Sequence, residues 1–480
     1  MCPTRYPTKN TVPTAAKLSI GILCAFLLLQ GRSAQAVSAE IFGLGSRWAG
    51  MGDAVVGLAD DFAAAFYNPA NTALADAPGL SFGILGYGAR LDIGNDKVSI
   101  QHPIEAQAGV HFPIPFKGWM HRRLWVAVAF SSHPDIAARL RGYMPTDAFY
   151  PFYDNRTQRL LLIPSLSFKA MDHVSYGKLS LGLGVNSLAG LKGTVVGMEG
   201  PSRSMEARVE EKLYSVLRLI AGVTYEHSGF RVAAAYRQEM KVTMSTRSHN
   251  HVAGTDLDLD IEADTLYDPH VFVLGAAWQT GEKVGDMWSV ALELGYSLWS
   301  LYKGPYVEVD SLLPLVGDLR GDLPNIRFNN TISVRVGLEK WFLLPRTLRL
   351  ALRGGFGFEN TPVPVQRGRT NMLDGHKLAF SLGMGIDLGK VLSRRVRLDA
   401  QTRIETVLSR TMKKRLYFPE EECPAPPAGE VSPDDYLLDE LPCDRTDPAT
   451  LGFQTSNPGY PSIRSGGFVF SGSITLGVEL

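Results

Sequence analysis

Arginines recur at alternate positions in the second half of the chain, and their guanidinium groups are suited to bind a carboxylate. Charge-assisted hydrogen bonds between these two groups are among the stronger hydrogen bonds in proteins. Arg335, Arg349 and Arg353 are therefore candidate cations for an acidic ligand. Carboxylates occupy similar positions, so most of these arginines are expected to form ion pairs within the protein instead. Those carboxylates are Glu293, Glu339, Asp399, Glu405 and Glu479, and the further arginines are Arg395, Arg397 and Arg403.

Residues arranged for catalysis, metal binding or nucleic-acid binding are not evident. His249 and His251 have the spacing of a metal-binding pair, but the segment around them is polar and predicts no fixed scaffold. The sequence has no glycine-rich phosphate loop, no Cys-x-x-Cys pair and no recognisable Ser-His arrangement. Its formal net charge of +0 offers no basic patch for nucleic acid. We therefore predict a binding protein without cofactor or metal, and not an enzyme.

Apolar and polar residues alternate over ten or more positions in five stretches of the second half. In Val396–Thr406 the apolar face includes Val396, Leu398 and Ile404, whereas charged residues fill most positions between them. A repeat of two residues indicates β-strands, whose side chains point to opposite faces. A face with so many charges must meet water. The five stretches are Trp288–Leu298, Phe328–Leu338, Leu348–Phe358, Val396–Thr406 and Phe468–Leu480.

The number and spacing of such strands predict an all-β fold, a transmembrane antiparallel β-barrel of about fourteen strands. Short and long connections alternate, as in barrels of the bacterial outer membrane. A sheet of this size encloses more space than side chains can fill, so apolar residues are expected to face lipid and charged residues a lumen. A soluble β-sandwich is the alternative, but it predicts shorter strands. The long connections are Ser132–Arg156, Gly190–Glu211, Ser245–Asp264, Ser300–Ile326 and an external loop at 409–466.

The N-terminus has the features of a secretory signal peptide. Basic residues precede an apolar run, Leu18–Leu29, and small residues follow it. This pattern predicts cleavage after Ala36, with Ala39 as the alternative site. We therefore divide the chain into a signal peptide (1–36), an N-terminal hatch or plug (37–78) and a transmembrane barrel (79–480).

Two cysteines remain after removal of the signal peptide. Cys423 and Cys443 lie in the longest connection, which is rich in Pro, Glu and Asp. In an oxidising compartment we expect them to form a disulfide, because closing a loop of about twenty residues contributes roughly 3 kcal/mol. A metal site is the competing interpretation, but no histidine flanks the pair.

The segment Ile41–Ala77 lacks strand alternation and is rich in glycine and alanine. Asp60 or Asp61 is placed to cap a short helix through Phe62–Tyr67. Asn68 precedes Pro69, and a residue before proline is disfavoured in the helical region, so the helix is expected to stop there. Because small residues allow close backbone packing, we predict a helical hatch inside the lumen.

The sequence resembles the FadL-type long-chain fatty-acid transporters of the outer membrane. The N-terminal hatch of that family is similar to Gly50–Asp61 followed by Tyr67-Asn68-Pro69-Ala70. Further segments match in order along the mature chain, including Pro164–Lys169, Leu179–Asn186, Ala234–Lys241, Leu298–Ser300 and Arg353–Pro364. Departures are Asn71, where a glycine commonly follows the Asn-Pro-Ala, the non-aromatic terminal Leu480, and the acidic loop with two cysteines.

The resemblance implies passive uptake of long-chain fatty acids or other hydrophobic molecules, captured by external loops and passed by the hatch. Simple packing of the hatch, an interfacial aromatic belt, and a role as protein-secretion shuttle or surface scaffold are the alternatives. The hatch candidates are Phe42, Leu44, Trp48, Phe62, Phe66, Tyr67, Asn68 and Pro69, and the external candidates are Leu140, Tyr143, Met144, Phe149, Tyr150, Phe152 and Tyr153. Outer-membrane lipid and lipopolysaccharide are the expected surroundings, and we expect a monomer.

Overall fold

The computed structural model describes residues 39–480 with several gaps. The gaps are 95, 99–103, 133–146, 155–160, 200–204, 253–254, 281–286, 305–306, 314–316, 319–325, 346–347, 367–369, 392 and 414–461. The expected signal peptide, the cysteines Cys423 and Cys443, and the capture candidates Leu140, Tyr143 and Met144 all lie outside the described residues. None of the helices in the described part of the chain is long and apolar enough to cross a membrane.

Fourteen antiparallel strands form a closed barrel, which confirms the predicted fold class. The first and last strands close it, with Gly79 opposite Glu479 and Ile93 opposite Ser465. The strands are β1 Gly79–Ile93, β2 Ile104–Pro113, β3 Leu124–Ser132, β4 Leu161–His173, β5 Gly177–Glu199, β6 Met205–His227, β7 Phe230–Arg237, β8 Val271–Thr280, β9 Trp288–Ser297, β10 Thr331–Leu343, β11 Arg349–Glu359, β12 Lys377–Val391, β13 Arg394–Lys413 and β14 Ser462–Glu479.

The two faces of each strand differ as the alternation predicts. On β14 the side chains of Ser471, Ser473 and Thr475 are buried toward the lumen, whereas Phe470 and Ile474 are exposed on the outer surface. The apolar outer face suits lipid and the inner face suits polar neighbours. Short turns join the strands at one end, the short-turn end, and longer connections join them at the other, the long-loop end.

Several connections expected to be loops contain paired strands. Segments 190–199 and 205–211 belong to β5 and β6, which pair over their whole length. Most of 245–264 forms two strands, Met240–Val252 and Thr255–Asp268, and further strands lie at Val307–Leu313 and Gly317–Asp318. These long connections therefore contain strands of their own, because a sheet outside the membrane tolerates charge on both faces. The last external loop is also shorter than 409–466, since Arg410–Lys413 pair with Ser462–Ser465.

The hatch consists of short helices that precede β1 and lie within the barrel. Helices α1 Ala39–Phe42, α2 Ser46–Ala49 and α3 Ala64–Tyr67 are followed by a 3-10 helix, Pro69–Leu74. The Asp61 carboxylate accepts a hydrogen bond from the Ala63 amide (2.9 Å) at the start of α3. Helix α3 ends at Asn68, whose backbone is extended (φ −163°, ψ 102°), as expected for a residue that precedes proline.

Glycines in the wall let the hatch backbone approach the barrel directly. A Cβ atom at Gly355 on β11 would overlap the backbone of Met51 and Gly52, and one at Gly222 on β6 would overlap the Asn68 side chain. Adjacent Gly354 lies on the lipid face, where a Cβ would meet no atom within 4 Å. At these two positions the hatch fits against the wall because the wall lacks side chains there.

This fit predicts opposite outcomes for two adjacent substitutions. We expect Gly355→Val to displace the hatch, because its side chain would occupy the space of the Gly52 backbone, and so to open a measurable ion conductance in planar bilayers. Gly354→Val is the matched control and should conduct like the unsubstituted protein. Heat-modifiable gel migration reports whether both barrels are folded. Equal conductance of the two folded variants would show that the hatch does not depend on this contact.

Candidate functional site

A cavity that is partly open to solvent lies above the hatch toward the long-loop end. We call it the upper cavity. Helix α1 of the hatch forms its floor, strands β7 to β13 form most of its wall, and residues 147–154, the inner segment, contribute Phe152 and Tyr153. The inner segment contains the short strand Ala148–Phe149, paired in parallel with Asn371–Met372, and helix α4 Pro151–Asp154.

Four of the predicted capture residues lie in the inner segment and are buried. The Tyr150 hydroxyl donates to the Asp92 carbonyl oxygen (2.6 Å) and accepts from the Gly466 amide (2.7 Å). The Tyr153 hydroxyl donates to Glu405 Oε1 (2.8 Å). Burial raises the pKa of Tyr150 to about 12 and that of Tyr153 well above its ordinary value, so both hydroxyls keep their protons. These residues thus line the mouth of the lumen, with Phe149 and Phe152 beside them.

Aromatic rings form one side of the mouth. Phe152 contacts Trp299 edge to face at 4.7 Å between ring centroids, and Tyr267 stacks on Tyr302 at 4.6 Å. Phe152 and Trp299 also line the upper cavity, together with Val271. This side of the cavity therefore offers apolar and aromatic surface to a ligand.

Arg237, at the end of β7, is the cation with the most unsatisfied bonding capacity in the upper cavity. It is 9% exposed and its Nε atom has no hydrogen-bond partner. Its Nη1 atom donates to the Phe66 carbonyl oxygen (3.4 Å), and its guanidinium lies 4.9 Å from the Phe66 ring centroid. Within the described residues Arg237 forms no ion pair. The nearby carboxylate of Glu40 is already bound by Arg218 (2.7 Å).

The three predicted cations are, by contrast, all held in ion pairs. Arg335 pairs with Glu293 (2.8 Å) and Arg349 with Asp387 (2.7 Å). Arg353 pairs with both Glu339 (2.6 Å) and Asp399 (2.8 Å). These three arginines therefore form ion pairs within the protein, as expected for most of the lumen arginines. Of the three, Arg335 also lines the upper cavity.

Arg237 is not among the three predicted cations, although the alternation of residues along β7 indicates its position. It shares one face of β7 with Arg231, Ala233 and Ala235, at intervals of two residues, and the last three also lie on the buried face. That alternation placed Arg237 in the lumen. Its lack of an ion pair was not visible in the sequence, because many arginine partners lie on other strands, as Glu293 does for Arg335.

Polar and charged bonds attach the hatch to the wall. Glu293 Oε2 accepts hydrogen bonds from the Val55 amide (3.1 Å) and the Val56 amide (3.0 Å). Arg47 binds Glu339 through two hydrogen bonds (3.1 and 2.9 Å). Asp53 forms an ion pair with Arg403. These contacts join the hatch to strands β9, β10 and β13.

Tyr67 connects three parts of the hatch. Its hydroxyl donates to Asp53 Oδ1 (2.6 Å) and accepts a hydrogen bond from the Leu44 amide (2.9 Å). Burial raises the pKa of Tyr67 well above its ordinary value, and the negative charge of Asp53 raises it further. Tyr67 therefore stays protonated and holds the Asp53 carboxylate in place for Arg403.

Six of the eight predicted hatch residues, all but Asn68 and Pro69, fall into three groups. Phe66 and Tyr67 line a small cavity that borders the upper cavity and shares Arg237 with it. Phe42 stacks on Tyr87 of the wall at 4.4 Å between centroids. The remaining three, Leu44, Trp48 and Phe62, are buried in the core of the hatch.

The Asn-Pro motif anchors the hatch and does not line either cavity. The Asn68 side-chain amide donates to the Val56 carbonyl oxygen (2.8 Å) and to Thr224 Oγ1 (2.8 Å). The Thr224 hydroxyl donates to Asn71 Oδ1 (2.6 Å), and Asn71 Nδ2 donates to Val56 (2.9 Å). Pro69 begins the 3-10 helix. Asn71, which departs from the pattern of the resembled family, is thus part of the anchor.

A second cavity, the lower cavity, lies on the other side of the hatch near the short-turn end. Arg47, Asp60 and Asp61 of the hatch line it, together with His111 and Arg349 of the wall. Its lining is more strongly charged than that of the upper cavity. A molecule that crosses the barrel must therefore pass from a partly aromatic chamber, past the hatch, into a charged one.

Comparison with solved structures finds the same fold in a FadL homologue and in a hydrocarbon channel. The chain matches the crystal structure of a Pseudomonas aeruginosa FadL homologue with a TM-score of 0.54 at 12% identity, over 93% of this chain and 99% of that one. It matches the CymD monoaromatic hydrocarbon channel with a TM-score of 0.51 at 12% identity, over 91% and 97%. No family model and no curated protein sequence matches the chain. The chain therefore has the FadL-type fold that the sequence resemblance implied.

The role of Tyr67 leads to a test of hatch attachment. We expect Tyr67→Phe to loosen the hatch, because it removes the hydrogen bonds to Asp53 and Leu44 and leaves buried polar groups unsatisfied, at a cost of about 1–3 kcal/mol. Hydrogen exchange of residues 39–74 should then be faster. Tyr296→Phe, on the exposed outer face, is the control and should leave it unchanged. Unchanged exchange in Tyr67→Phe would mean that the remaining contacts suffice.

Proposed function

We propose that this protein is a bacterial outer-membrane channel for passive uptake of hydrophobic molecules. Within that class, its preferred substrates are hydrophobic carboxylates such as long-chain fatty acids. The observation that carries the proposal is the upper cavity, in which a buried arginine that forms no ion pair with any described residue lies across from aromatic and apolar surface. The proposed mechanism is binding and passage, without a chemical step.

Arg237 supports a carboxylate as the polar group of the substrate. Removing a guanidinium from water is costly unless charge or hydrogen bonds compensate it. Its present partners are one backbone carbonyl and one aromatic ring, so an incoming carboxylate would gain a charge-assisted hydrogen bond at Nε. Such bonds contribute about 1.5–3 kcal/mol.

The aromatic side of the cavity supports an apolar body for the same molecule. Phe152, Trp299 and Val271 lie on the wall of the chamber that Arg237 lines. Burial of apolar surface against them contributes roughly 25 cal/mol per Å². The two similar solved structures support a hydrophobic substrate, since one is a FadL homologue and the other a monoaromatic hydrocarbon channel.

Capture at the cell surface and gating by the hatch complete the proposed route. Leu140, Tyr143 and Met144 would take up the molecule first, and the aromatic residues of the inner segment would receive it at the mouth of the lumen. The hatch then separates the upper from the lower cavity, so passage requires its displacement. Lumen cations Arg335, Arg349 and Arg353 would act chiefly by holding the polar wall together through their ion pairs.

Ligand titrations with an Arg237 variant test the substrate class. Full-length protein in detergent should bind a long-chain fatty acid saturably. Arg237→Gln should weaken this binding roughly tenfold or more, because about 1.5–3 kcal/mol is lost with the charged hydrogen bond. Binding of the fatty alcohol of equal chain length should be unaffected. Arg349→Gln, a lumen arginine outside the upper cavity, is the matched control and should leave fatty-acid binding unchanged.

Three outcomes separate the alternatives. Equal weakening of acid and alcohol by Arg237→Gln would overturn the carboxylate assignment and leave hydrophobic uptake intact. No saturable binding of either ligand, together with a stable co-purifying protein, would favour a protein-secretion shuttle or surface scaffold. Mass spectrometry of lipids that co-purify with the barrel identifies the natural ligand in the favourable case.

A further inference from the structure

The turn between β2 and β3 concentrates exposed aromatic rings and positive charge at the short-turn end. Residues 114–123 contain three cations, Lys117, Arg122 and Arg123, and no aspartate or glutamate. Trp119 is 70% exposed and Phe116 is 44% exposed. Exposed rings of this size are costly in water unless another surface covers them.

The structure holds these groups in fixed positions. A 3-10 helix, Gly118–Met120, forms the tip of the turn. The Arg123 guanidinium lies 5.5 Å from the Trp119 ring centroid and donates to the carbonyl oxygens of Lys169 and Ala170 (both 3.3 Å). Arg122 lies 5.4 Å from the Trp125 ring centroid and donates to the Asp76 carbonyl oxygen.

The positive charge of the turn is not neutralised. Where the chain is described, Lys117, Arg122 and Arg123 form no ion pair. Both arginines bond only to backbone carbonyls and aromatic rings. Neighbouring cations at the same end differ, since Lys169 pairs with Asp172 (3.2 Å) and Lys178 with Glu226 (2.8 Å).

The position of the turn places it at a membrane boundary. Exposed aromatic residues ring the barrel near the short turns, as they do where barrels cross the interface between hydrocarbon and headgroups. In an outer membrane the short turns face the periplasm, so the adjacent leaflet is phospholipid. The ring includes Tyr225, Phe230, Trp278, Trp288 and Phe342.

We propose that residues 114–123 form a binding site for the headgroup of an anionic phospholipid. The phosphate meets Lys117, Arg122 and Arg123, and Phe116 and Trp119 insert beside the glycerol and the upper acyl chains. The site lies outside the lumen and is independent of the proposed transport function. Three cations that form no ion pair among the described residues favour an anionic lipid over a zwitterionic one, because each cation near such a surface contributes to binding.

Native mass spectrometry with defined lipids tests the site. The full-length protein, offered equal amounts of phosphatidylglycerol and phosphatidylcholine, should retain phosphatidylglycerol in several-fold excess. Lys117→Gln with Arg123→Gln should lower phosphatidylglycerol affinity about 30-fold, which corresponds to roughly 1 kcal/mol for each cation. Arg122 is kept in this variant because it also contacts the chain beside the hatch.

The control removes the same charge elsewhere at the same end. Lys390→Gln with Arg394→Gln, exposed residues beside the β12–β13 turn, should leave phosphatidylglycerol retention unchanged. Equal retention of the two lipids by the unsubstituted protein, or an equal loss in both double variants, would overturn the site. Brominated phosphatidylglycerol should also quench less fluorescence in Trp119→Phe than in the unsubstituted protein. Heat-modifiable migration checks that every variant is folded.

Discussion

A closed sheet of fourteen strands encloses more space than its own side chains can fill. Most other features of this structure follow from that constraint. The wall turns its polar face inward, where an empty lumen would be a water-filled pore. The hatch occupies the middle of this space instead and divides it into an upper and a lower cavity. Glycines such as Gly222 and Gly355 allow it to lie against the wall without intervening side chains.

The ion pairs between the hatch and the wall determine where the hatch lies more than they increase the stability of the folded protein. Buried ion pairs lose much of their attraction to the cost of leaving water, so replacing a whole pair is often nearly neutral, whereas removing one partner costs about 3–5 kcal/mol. The pairs Arg47–Glu339 and Asp53–Arg403 are of this kind. A hatch held in this way has one well-defined closed position. The free energy needed to displace it is moderate, which suits a gate.

Local patterns in the sequence predict the wall well and the site only in part. The alternating stretches Trp288–Leu298, Leu348–Phe358 and Val396–Thr406 fall on β9, β11 and β13, because side chains two residues apart share a face whatever the rest of the chain does. Arg237 shows the limit. Its importance depends on Phe66, 171 residues away, and on Arg237 forming no ion pair within the described residues. Contacts between residues this far apart in the sequence form only when the chain folds, as the Ser46–Thr475 hydrogen bond across 429 residues illustrates.

The seam between β1 and β14 has a consequence for how the molecule assembles. It joins the strand that directly follows the hatch to the last strand to be synthesised, so the ring cannot close until the whole chain exists. The hatch is therefore available before its enclosure is complete. Its contacts reach wall strands from β2 to β14, through Gln107 and Thr475 among others. The hatch can therefore serve as a template on which the wall strands assemble. A barrel that closed without the hatch would leave the buried Glu293 carboxylate without its hydrogen bonds from the Val55 and Val56 amides.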